Sequence, residues 1–95
     1  MEKAIALLEV QAMVAATVGL DAMLKAADVR LIHVEKKLGG RLVTIVVDGT
    51  VSAVTEAAEA GRIEAAEVGK VKLCEVIARP HEEIRRFLYQ DFPAD

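Results

Sequence analysis

The chain has 95 residues, the length of one small domain. Its net charge is −3 and no basic run or basic helix face dominates, which excludes a nucleic-acid footprint. Hydrophobic residues make up 54% of the sequence but aromatic ones only 3%, so Ala, Val, Leu and Ile carry the core and leave little bulk to enclose a large cofactor within one subunit.

A domain of this size buries only about 60–65% of the surface its unfolded chain exposes. So high an apolar content therefore points to surface covered by other subunits. The single cysteine, Cys74, excludes an intrachain disulfide and fits a reducing cytosol. Glu2 and Lys3, then a short apolar run ending at Glu9, do not read as a signal peptide. No apolar stretch approaches the ~20 residues of a membrane helix.

Residues 4–10 (AIALLEV) form an apolar run of strand length. Residues 13–27 are dense in Ala, Met and Leu and predict a helix. Val14, Val18, Ala22 and Leu24 do not share one narrow stripe, so this helix is expected to be covered on more than one side. Asp21 and Lys25 stand four apart, acid first, in the favourable order for a surface pair. Residues 29–38 predict a second strand, with Val29, Leu31 and His33 on one face and Arg30, Ile32 and Val34 on the other.

Next comes the stretch around which the chain is organised, residues 35–47 (EKKLGGRLVTIVV). Gly39 and Gly40 permit backbone geometry that a Cβ resists, and Lys36, Lys37 and Arg41 surround the break with positive charge. The residues alone allow a hairpin loop with solvated basic side chains, or a loop facing a partner or an opening. Residues 42–47 are β-branched and almost wholly apolar, as in a central strand covered on both faces. Asp48-Gly49-Thr50 reads as a turn, with Thr50 as helix N-cap.

Val51, Val54, Ala58, Gly61, Ala65 and Val68 then recur at helical spacing, opposite Glu56, Glu59, Arg62, Glu64 and Glu67. That is an amphipathic helix packed on a sheet, closed by Gly69. Residues 71–78 predict the fourth strand, with Val71, Leu73, Glu75 and Ile77 against Lys72, Cys74 and Val76. Pro80 stops pairing, and residues 81–88 predict a short helix with acids early and bases late. Residues 89–95 are expected to form a mobile tail.

The order strand, helix, strand, strand, helix, strand, small helix is the ferredoxin-like split βαβ arrangement. The predicted class is α+β, an α/β sandwich: a four-stranded antiparallel sheet with helices on one face plus a short C-terminal helix. The other sheet face is left uncovered within one chain, and other subunits are its expected cover.

Chemistry is hard to assemble from these residues. His33, Cys74 and His81 are the only soft ligands, with no pair at metal spacing, so no metal site is expected and both histidines read as structural. Cys74 on an apolar strand reads as an inert buried thiol. No nucleophile elbow or phosphate-binding Gly-rich loop is present, and no catalytic residue or cofactor is assigned.

Three segments together carry a resemblance: DAMLKAADV (21–29), VEKKLGGRLVTIVVDGTVSAV (34–54) and VIARPHEEI (76–84). Over about residues 4–88, in order and spacing, the chain resembles the shell proteins of bacterial microcompartments, in their single-domain, hexamer-forming branch. The resemblance implies a non-enzymatic structural protein of the bacterial cytoplasm, a flat cyclic hexamer that tiles edge to edge around metabolic enzymes. In that family the loop between the second and third strands lines a pore on the six-fold axis. Here that loop is Lys37, Leu38, Gly39, Gly40 and Arg41, with Leu38 to Gly40 expected at the narrowest point. The family's edge lysine maps to Lys25, and its Arg-Pro-His motif maps to Arg79, Pro80 and His81, the expected hexamer–hexamer contacts. The common pore loop Lys-Ile-Gly-Ser-Gly is replaced here by Lys37-Leu38-Gly39-Gly40-Arg41, and the frequent Arg-Gly-Asp after the third strand by Asp48-Gly49-Thr50.

The partners so implied are five further copies of the chain, other shell proteins, enclosed enzymes and small polar metabolites, with no nucleic acid and no membrane. Six-fold repetition of Lys37 and Arg41 favours small polar or anionic metabolites. The alternative reading is a small oligomeric regulatory domain of the same topology, binding an anionic metabolite between subunits without tiling.

Overall fold

The structure, a computed structural model, describes residues 3–89. Its elements are β1 (Ala4–Gln11), α1 (Met13–Ala26), β2 (Arg30–Lys37), a 3₁₀ turn (Leu38–Gly40), β3 (Leu42–Gly49), α2 (Val51–Ala66), β4 (Lys70–Ile77) and α3 (Glu82–Leu88). The strands form one antiparallel sheet in the order β2-β3-β1-β4. The predicted α+β fold, four antiparallel strands backed by helices, is the fold observed.

Alternation along β1 divides the core. Ala4, Ala6, Leu8 and Val10 face α1 and α2, together with Val43, Ile45 and Val47 of β3. Ile5 and Leu7 face the other side with Val46. Both faces of β1 and β3 are thus apolar, as central strands require. The helices sit close because their contact surfaces are small: Ala15, Ala16, Gly19 and Met23 of α1, and Val54, Ala57, Ala58, Gly61 and Ala65 of α2. A Cβ at Gly61 would lie 2.5 Å from Met23 Cγ, so the approach of α1 to α2 depends on that missing methyl.

Several expectations are corrected. Within the single chain α1 is covered on one side only, leaving Val14 and Leu24 exposed, because the sheet and α2 both lie along its Ala15–Gly19–Met23 side. Val51 and Val68, at the ends of the expected stripe, are also exposed, α2 having ended at Ala66, and Ala57 is buried instead. Irregular registers between Leu31 and His33 and between Glu9 and Val10 change the facing of two strands. Leu31 and Val34 pair with β3 residues of the helix-facing row, whereas Ile32 and His33 fall on the opposite side. Val71 joins Cys74 and Val76 against the helices.

The second sheet face is not bare. Leu88 and Tyr89 lay the end of α3 over Ile5, Ile32, Val46 and Leu7. Leu73 and Ile77 of β4 remain exposed. Tyr89, expected in a mobile tail, is packed on the sheet, and the rest of that tail lies outside the described residues.

Candidate functional site

The loop between β2 and β3 forms where β-branched alternation stops and two glycines follow. Leu38, Gly39 and Gly40 all have positive φ, at 55°, 67° and 91°. Three successive residues in the left-handed region reverse the chain with no longer loop, and only Leu38 incurs the Cβ penalty. A Cβ on either glycine would meet nothing within 4 Å, so the glycines serve backbone geometry and not close packing. Leu38 is 62% exposed, and Lys37, Gly39 and Arg41 are exposed with it. The turn closes through Arg41: its backbone N–H donates to the Leu38 carbonyl at 3.3 Å, and its side-chain Nε donates to the same oxygen at 2.9 Å. The five residues expected to line a pore are therefore brought together in one exposed, basic turn.

The residues expected at the hexamer edge lie at the other end of the sheet. β2 and β3 leave the loop antiparallel, and β2 begins a few residues after α1 ends, so Lys25 in the last turn of α1 is near the Arg30–Asp48 end. β4 ends where Ile77 pairs with Ile5, next to the Ile5–Asp48 rung, which puts Arg79, Pro80 and His81 at that end too. An eight-residue strand such as β3 spans about 25 Å, and this separates the two groups in a body of 35 × 27 × 17 Å.

The residues expected at the edge differ in their local ties. Lys25 is exposed and paired with Asp21 at 2.8 Å, and the bond to that carboxylate holds its ammonium above the ordinary lysine value. It borders a shallow groove floored by Val18, Ala22, Ala26 and Ala60 and flanked by Asp21 and Glu64. Arg79 is exposed and Pro80 buried. His81 caps α3, its ring Nδ1 accepting from the Glu83 backbone N–H at 3.0 Å.

Sequence reasoning missed a charged cluster at this same end. Asp48, placed in a turn by its Asp-Gly signal, is instead in β3 and only 1% exposed. Arg30 grips it in bidentate fashion (Nε to Oδ1 3.4 Å, Nη2 to Oδ2 3.1 Å), and the Tyr89 hydroxyl donates to Oδ2 at 2.5 Å. Burial first, then the hydrogen bond to Asp48 and its charge, push the Tyr89 phenol well above its ordinary range. The guanidinium groups of Arg30 and Arg85 lie 6.0 and 5.9 Å from the Tyr89 ring. A visible signal did exist: an acid in an apolar strand, with a base at the start of the next strand over.

The remaining candidates are structural in their contacts. His33 stands 3.4 Å from Glu35 Oε1 with its ring beside Phe87. Cys74 Sγ lies 3.6 Å from the Ala58 carbonyl, and burial raises its thiol above the ordinary value, which keeps the unreactive form. Among the described residues no three His, Cys, Asp or Glu side chains converge to hold a metal, and no helix is long and apolar enough to cross a membrane.

Comparison with known proteins bears on this geometry. The family model described as BMC domain matches residues 4–80. The bacterial microcompartment shell protein PduA of Citrobacter freundii is 41% identical over 87 residues, covering 92% of each chain. The shell protein EutM of Salmonella typhimurium is 37% identical over 93 residues, covering 98% of this chain and 96% of its own. A solved microcompartment protein from Desulfitobacterium hafniense superposes with a TM-score of 0.82 at 26% identity. That match covers all of this chain and 51% of the other, so the chain spans about half of that solved chain.

Proposed function

The chain belongs to the BMC domain family and is a bacterial microcompartment shell protein, and from that premise we propose that six copies form a flat ring that tiles edge to edge around enzymes in the bacterial cytoplasm. The Lys37–Arg41 turn faces the ring's centre as a pore, and Lys25, Arg79, Pro80 and His81 form its rim. The protein performs no catalysis of its own. One observation carries this reading: the exposed basic turn and the edge residues occupy opposite ends of one thin body, as centre and rim of a tile require.

The pore favours small polar or anionic metabolites. Lys37 and Arg41 repeat around the axis, so modest basicity per chain sums to a strong local field. Gly39 and Gly40 leave backbone N–H groups unscreened by side chains.

The test is light scattering on chromatographed protein, then electron microscopy of the same fractions at raised concentration. Six-chain particles that grow into sheets or tubes are expected. Lys25→Ala and Arg79→Ala are expected to keep the particle and abolish the sheets. A monomer, dimer or trimer that never tiles would overturn the reading and leave a small regulatory domain as its replacement.

A further inference from the structure

We propose that Arg41 is a positioning residue: its side chain clamps the Leu38 carbonyl and so holds the left-handed turn that presents residues 38–40. The effect on passage rests on the pore reading above; the clamp itself does not.

Little else holds this turn. Its glycines contact no packing surface, since an added Cβ on either would meet nothing within 4 Å. Lys37, at the N-cap position of the turn, supplies no side-chain cap bond. Leu38 occupies φ 55°, a region that costs a residue with a Cβ about 1–2 kcal/mol. Its side chain is mostly exposed, so burial offsets little of that cost. The backbone closure from Arg41 N–H is long, at 3.3 Å.

The shorter bond is the one from the side chain. Arg41 Nε reaches the same Leu38 oxygen at 2.9 Å, so one residue offers two donors to one acceptor. A carbonyl oxygen has two lone pairs and takes both, and the charged donor strengthens its share. Bonding through Nε also fixes the guanidinium against the turn. Its charge then stands at one place relative to Leu38 and does not sweep freely through solvent. Under the pore reading, the ring then carries six cations at set positions beside six leucines, and Arg41 sets the shape of the opening as well as its sign.

A pair of substitutions separates the clamp from the charge. Arg41→Gln places an amide nitrogen the same number of bonds from Cβ as Nε, without charge. Arg41→Met has the same length with neither donor nor charge. The measurement is amide hydrogen exchange over residues 37–42 in the assembled full-length protein, at labelling times short enough for exposed loops. Wild type and Arg41→Gln are expected within about twofold of each other, and Arg41→Met about threefold or more faster, the range set by one ordinary hydrogen bond. Equal exchange in Gln and Met variants overturns the clamp, because a residue that supplies charge alone treats them alike.

Chloride conductance through layers of the same three proteins is the second readout. Gln and Met variants lack the charge equally, so a difference between them reports the shape of the turn. Unequal exchange together with a wild-type layer that passes no chloride would leave the clamp standing and count against the pore.

Discussion

The two ends of β3 carry charge in opposite ways. At one end Asp48 is sealed from solvent, gripped by Arg30 and capped by the Tyr89 hydroxyl. At the other, Leu38 to Arg41 stand in solvent in a left-handed turn closed on one carbonyl oxygen. The buried end joins three distant parts of the chain, β2, β3 and the end of α3, so its bonds are formed only when the fold is complete. The exposed end is local, and its conformation is set by residues within a few positions of one another. A cluster of the first kind fixes how elements pack. A turn of the second kind presents groups outward and tolerates change without loss of the fold. Under the proposed tile, that division would give a rigid body and a loop free to be tuned.

The buried end should therefore dominate stability. Asp48→Ala removes the buried carboxylate that Arg30 grips and that accepts from the Tyr89 hydroxyl; the expected loss is about 2–4 kcal/mol. In a domain of this size that lowers the thermal midpoint by more than about 10 °C, read by calorimetry at fixed protomer concentration. A shift of only a degree or two would show that the cluster is solvated and that the comparison between the ends fails.

Tyr89 tests the same end more gently. Tyr89→Phe keeps the ring on Ile5, Ile32 and Val46 but removes the hydroxyl's bond to Asp48, at an expected cost of about 1 kcal/mol. As the only tyrosine, it also gives a clean ultraviolet titration. Its folded pKa is raised, so the neutral phenol is the form the fold favours. The stability it contributes is fully present below the ordinary phenol value of about 10 and is lost as pH rises through the folded value. The tyrosinate signal should appear at higher pH in folded protein than in urea, and the gap should shrink in Asp48→Asn.

The exposed end should respond weakly and for a different reason. Gly39→Ala is expected to cost about 1 kcal/mol from backbone strain alone, since the added methyl meets no atom. Denaturant midpoints measure it. A cost like that of Asp48→Ala would mean the turn is packed against something in the assembled protein.

The contrast also explains what could be read from the sequence. The loop was legible because its signals are local: two glycines, flanking bases and a β-branched run name a turn wherever they occur. The element order and the Thr50 cap were legible on the same grounds, and Thr50 does accept from Ala53 N–H. The Asp48 cluster was not, because it depends on register. An irregular rung after Leu31 shifts β2 relative to β3 and decides which β2 side chains share a face with Asp48. The same effect turned Val71 toward the helices. Asp48-Gly49 is a common turn signal, but the strand continued through it because Ile5 and Arg30 were there to pair. Nor does the sequence show that α3 folds back over the second sheet face, which rests on Leu88 and Tyr89 finding an apolar patch assembled from three strands.

The smallest expected effect is the one that most sharpens the contrast. Leu38 holds φ 55° with a side chain that lacks a polar atom to bond its own backbone. Asn occupies that region far more readily, so Leu38→Asn should relieve strain that Leu carries. Because Leu38 is mostly exposed in the single chain, little apolar burial is forfeited, and a gain of about 0.5 kcal/mol is expected. Denaturant unfolding of dilute protein reads that gain. Under the proposed ring, repeating the measurement on assembled protein asks a second question. If Asn stabilises the separate chain but weakens the ring, the leucine is covered by its neighbours there, and the strain at residue 38 is offset by contact between copies. If Asn stabilises both alike, Leu38 stays in solvent in both states, as the proposed pore requires.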